Sequence, residues 1–77
     1  MLVENHTVEI GNRVFFCNVQ IDANGCTAND LVEVMKDGFE LPVTDYYRRR
    51  VEAIINEEFY EEILLEKEAE RDGYDAD

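Results

Sequence analysis

This 77-residue chain has no serine and no tryptophan, one proline and one histidine. The missing serine removes every serine-nucleophile mechanism. A single imidazole leaves little for general acid–base chemistry, because a catalytic site needs several convergent polar groups. Only seven residues are Lys or Arg against nineteen Asp or Glu, a formal charge of −12. Nucleic acid and anionic lipid are therefore poor direct partners, since binding phosphate needs a Lys/Arg surface. Basic proteins, cations or plain solubility remain. There is no apolar run of about eighteen residues and no charged n-region before a hydrophobic core, so neither a membrane span nor a signal peptide is expected. Cys17 and Cys26, without a secretion signal, read as reduced thiols in a cytoplasm. A disulfide between them would require an oxidising compartment. The Asn5-His6-Thr7 sequon is then a chance match.

What is present is enough apolar residue, 45%, to make a fold, although a chain this short builds only a thin core. The second half organises it. Val51, Ile55, Phe59 and Ile63 recur every four residues with Tyr47 and Ile54 beside them, which predicts one amphipathic helix opening at Thr44 as N-cap, with Asp45 in the first turn. Glu58 and Glu62 project close to Val51 on such a helix, so the apolar stripe either winds or leaves the core there. Arg48, Arg49 and Arg50 point about 100° apart and form a collar rather than a patch.

Residues 2–21 predict a β-hairpin turning at Gly11-Asn12. Centring the turn there sets Ile10 opposite Arg13, Val8 opposite Phe15, His6 opposite Cys17, Glu4 opposite Val19 and Leu2 opposite Ile21. Leu2, Val8, Ile10, Phe15, Cys17, Val19 and Ile21 then share one side. Val3, Val14 and Phe16 fall among polar residues on the other, as a patch to be covered or left open. Asp22 to Cys26 is a turn. Leu31 to Met35 suits a third strand better than a short helix capped at Thr27, because a lone hairpin is only marginally stable. Pro42 ends the extended segment. The expected fold is α+β: a small antiparallel sheet of two to four short strands, led by an N-terminal hairpin and packed with one long C-terminal α-helix. Residues 1–72 form the domain, and 73–77 an acidic flexible tail.

The chemistry sits in the acids. From Glu57 onward ten acidic residues face two basic ones, Lys67 and Arg71. Glu57/Glu61, Glu58/Glu62, Glu62/Glu66 and Glu66/Glu70 are like-charge pairs at i,i+4, each costing about 0.2–0.5 kcal/mol on a helix. Lys67–Glu70 and Glu68–Arg71 offset only part of that. A face meant only to be wet usually mixes its signs. At 1.5 Å rise per residue the acids come about every 3 Å, near the ~3.4 Å phosphate spacing of one nucleic-acid strand. Three readings stay open: a solvated end, a docking face for a basic protein, and divalent-cation binding. The last is weakened by a regular helix that cannot wrap an ion. Asp22-x-Asn24-Gly25 resembles the start of a calcium loop but lacks its later ligands and closing Glu. His6 facing Cys17 suggests a thiolate–imidazole pair or half a zinc site, but with two Cys and one His the fourth ligand would have to be a carboxylate, and beside Val8 and Phe15 both read better as edge-of-core residues. No metal or cofactor is expected. Tyr46 and Tyr60 fall opposite the apolar stripe, and an exposed Tyr among acids suits an interface anchor.

In size, charge and layout the chain resembles the small acidic orphan proteins of bacteriophages. That resemblance implies an inhibitor of host nucleic-acid machinery, including CRISPR and restriction complexes, acting in the host cytoplasm. The expectation is a non-enzymatic binding protein, a nucleic-acid mimic in counter-defence. Glu57, Glu58, Glu61, Glu62, Glu66 and Glu70 would carry the charge, and Tyr60 would anchor on a basic protein surface. The alternative is a homo-oligomeric assembly protein that associates through the helix or through Val3, Val14 and Phe16.

Overall fold

The computed structural model describes the backbone of residues 1–75 and the side chains of residues 1–69. Four strands form an antiparallel meander in chain order: β1 (Leu2–Ile10), β2 (Arg13–Asp22), β3 (Gly25–Val34) and β4 (Glu40–Pro42). Two helices follow, α1 (Asp45–Glu58) and α2 (Tyr60–Asp75). The expectation of one long helix is therefore corrected. At Phe59 the backbone leaves helical geometry (φ −103°, ψ 27°). The apolar spacing supplies the reason. Four-residue steps drift on a 3.6-residue helix, so a straight rod would aim Ile63 about 120° away from Val51. With a break at Phe59, Val51, Ile55 and Ile63 are all buried in one core.

The β1–β2 turn is the expected one, with Gly11 at φ 60°. His6↔Cys17, Val8↔Phe15 and Ile10↔Arg13 pair as the alternation required. Beyond His6 the register departs from expectation: Val3 pairs with Val19 and Leu2 with Gln20. A bulge at Asn5 (φ 55°) inserts the shift. Asn tolerates the left-handed region better than other non-glycine residues, and one inserted residue reverses which side chains face inward. Leu2 is consequently 51% exposed, while Val3 packs against the core. A second bulge, at Asp30 (φ 54°), lies on the other side of β2. Asn18 of β2 braces both: its Oδ1 accepts from Asn5 N–H (3.1 Å) and its Nδ2 donates to Asp30 Oδ2 (3.2 Å).

Phe15, Val19, Ile21, Val51 and Ile55 are the largest fully buried side chains, and they lie between the sheet and the helices, where α1 packs on β3 and β1 and α2 on β2 and β3. β4 covers β3 only at Val32–Val34, leaving the edge from Gly25 to Leu31 without a neighbouring strand. Side chains of α1 fill that place. Asn56 accepts from Cys26 N–H at Oδ1 (2.9 Å) and donates from Nδ2 to Cys26 O (3.2 Å). Ala28 N–H donates to Glu52 (3.3 Å), and Arg48 donates to Ala28 O (3.0 Å). Residues 48, 52 and 56 thus stand in for a fifth strand. The edge is closed to stray pairing.

Candidate functional site

The break at Phe59 divides the predicted acidic set. Glu57 and Glu58 end α1; Tyr60, Glu61, Glu62 and Glu66 lie on α2; the side chain of Glu70 lies outside the described residues. Two sides can be distinguished. Glu58, Glu62 and Glu66, spaced by four, lean toward the sheet. Glu58 Oε2 lies 2.6 Å from His6 Nε2, and Glu66 Oε1 lies 3.5 Å from the Met1 amine. The His6 contact is short but poorly directed, because Nε2 makes no hydrogen bond of acceptable angle. The ring also meets Phe59 edge-on, with centroids 5.1 Å apart. Glu57 and Glu61 point outward with Tyr60 (59% exposed), Leu64, Leu65 and Glu68. Glu68 reads in the sequence only as a partner for Arg71, and neither it nor Leu64 and Leu65 is assigned to the binding face there; their i,i+4 and i,i+3 spacing from Tyr60, Glu61 and Leu64 is the signal that groups them.

The arginine collar does not neutralise these acids. Arg48 is committed to Ala28 O, and Arg50 donates to the Tyr46 hydroxyl (3.3 Å) and lies over its ring. Among the described residues the ion pairs are Met1–Glu66, His6–Glu58 and Arg13–Glu33. Glu57, Glu61, Glu62 and Glu68 have none there. One source of relief is internal: Glu61 and Glu62 occupy the first turn of α2, where the helix dipole favours a carboxylate by about 0.3–1 kcal/mol. Thr44 caps α1 with its backbone only; its side chain makes no cap hydrogen bond.

Among the described residues no cluster of His, Cys, Asp and Glu could hold a metal ion. Asp22 accepts from Asn24 N–H (2.8 Å), which is a turn rather than a cation loop. Cys17 and Cys26 are free, buried thiols. Burial pushes both thiols up, with Glu52 and Glu58 adding to Cys17, and Asp22 and Glu62 to Cys26. A raised thiol pKa stabilises the fold below the unfolded value, and that stability is lost as pH rises toward the folded one. The native chain should therefore lose stability at alkaline pH. It should also react with a thiol reagent at pH 8 at least tenfold more slowly than the urea-unfolded chain. Equal rates would place these sulfurs at the surface.

With this geometry the chain defines a class: a two-layer α+β protein, a four-stranded meander under a broken helix with an acidic outer face. No family model, curated protein or solved structure matches it. No helix among the described residues is long and apolar enough to cross a membrane.

Proposed function

We propose that this chain is a non-enzymatic binding protein whose acidic helical face docks on a Lys/Arg-rich, nucleic-acid-binding surface of another protein and blocks it. One observation carries the reading. Glu57, Glu61 and Glu68 sit on an exposed face without an ion pair among the described residues, around an exposed Tyr60, while Arg48 and Arg50 make their contacts elsewhere. Carboxylates left without an internal partner on an exposed helical face suit a Lys/Arg-rich groove, and Tyr60 and Leu65 supply apolar contact at its margins. The likeness to phage orphan proteins makes host nucleic-acid machinery, CRISPR or restriction complexes among it, the partner class.

The test is capture of host proteins from a lysate by the wild type and by a Glu57→Gln, Glu61→Gln, Glu68→Gln variant. The wild type should enrich nucleic-acid-binding proteins, displace their nucleic acid, and bind at least tenfold more weakly as salt rises from about 50 to about 500 mM. The variant should lose them. An unchanged set of captured proteins would remove the acidic face from the mechanism.

A further inference from the structure

We propose that the sheet face turned away from the helices seats a second copy of this chain, sheet against sheet about a two-fold axis. Residues directly opposite across neighbouring strands share a face, so the pairing defines two rows on that side. One reads Glu9–Val14–Val34–Glu40 and the next Thr7–Phe16–Val32–Pro42. Both are apolar in the middle and mostly polar toward the ends, the arrangement of an interface centre within its rim. Phe16, on the second strand, is 39% exposed. Met35 and Phe39 (69% exposed) extend the patch along an open groove of about 790 Å³ beside the β3–β4 turn.

Charge selects the occupant. The crowded carboxylates of α1 and α2 belong to the other layer, so a basic partner is drawn there and not here. Nucleic acid is repelled by the whole molecule. Two copies, each of charge −12, can approach with least repulsion through this face. Two stacked sheets then separate the helix layers by on the order of 30 Å, beyond the ~8 Å screening length of physiological salt. The rim holds Lys36 among Glu9, Asp30, Asp37 and Glu40, and a two-fold can set the lysine of one copy near the acids of the other. Val3 takes no part, because the Asn5 bulge turns it to the core.

Area sets the strength. On the order of ten residues line this face, against the ~20–30 a side of a standard interface, so the pair is weak and transient. Such a dimer leaves both acidic helical faces outward, and the inference does not depend on what they bind.

The test is a dilution series of the full chain, about 20 µM to about 1 mM, followed by amide NMR shifts and sedimentation velocity. Concentration-dependent shifts should centre on Val14, Phe16, Val32, Val34 and Phe39. Phe16→Lys should weaken association at least tenfold while leaving the core resonances dispersed. A monomer throughout the range, or shifts centred on Tyr60 to Ala69, would overturn the proposal. The wild-type map decides even where the variant fails to fold.

Discussion

Asn56→Leu should cost the fold about 2–4 kcal/mol and lower Tm by roughly 10–25 °C in a thermal unfolding scan. Asn56 satisfies both backbone groups of Cys26, and its Nδ2 also donates to Glu52 O at 2.6 Å. A leucine fills nearly the same volume with carbon. It excludes the water that could replace the lost partners, leaving a part-buried N–H and C=O unpaired. Asn56→Ala admits water and should cost less. The ordering Leu worse than Ala is the discriminating result, because a packing role for this side chain would reverse it. A domain of this size holds only about 4–12 kcal/mol in total, so the leucine variant removes a large fraction. Gly25 belongs to the same contact. Its φ is 133°, and a Cβ there would lie 2.6 Å from Asn56 Oδ1, so an alanine would push the amide off the edge it guards.

That guard shows where sequence reasoning stops. Arg48, Glu52 and Asn56 form a polar stripe beside the apolar one, and polar residues at helical spacing ordinarily face water. Nothing in the composition says that this stripe lies along an unpaired strand edge; only the shortness of β4 makes it do so. The hairpin, by contrast, was readable from Gly11 back to His6, because alternation and turn chemistry agree. It ceased to be readable at Asn5, where a single left-handed residue reversed the parity and exchanged Leu2 for Val3. The third strand followed from the hairpin's need for a partner. Two helices in place of one were foreshadowed by acids intruding on the apolar stripe at Glu58 and Glu62, although periodicity alone could not say whether the stripe wound or the backbone broke. In the acidic face the residue types were plain. Their division into Glu58, Glu62 and Glu66 toward the sheet and Glu57, Glu61 and Glu68 toward solvent required the position of α2.

Raising salt from about 20 to about 500 mM should stabilise the free chain, by about 1 kcal/mol or roughly 4–8 °C in Tm. The sign follows from the ledger of charges. A fold held by surface ion pairs loses stability when salt screens them. Here few pairs exist to lose: His6–Glu58, Met1–Glu66 and Arg13–Glu33 among the described residues. Against them stand like charges at Glu62/Glu66 within α2, the acids Glu57, Glu58, Glu61 and Glu62 crowded on either side of the Phe59 break, and the self-repulsion of a chain of charge −12. Screening relieves all of these. It weakens only the smaller gain of Glu61 and Glu62 at the α2 dipole. Glu57→Gln and Glu61→Gln should reproduce part of the effect at low salt, a few tenths of a kcal/mol together, and should flatten the salt dependence. Binding to a basic surface carries the opposite sign, since the attraction that relieves the repulsion is itself screened. A chain that salt steadies and a complex that salt loosens are therefore joint consequences of one unneutralised face. If salt lowered the Tm of the free chain, the carboxylates would already be compensated within the fold, and the docking proposal would lose its driving force.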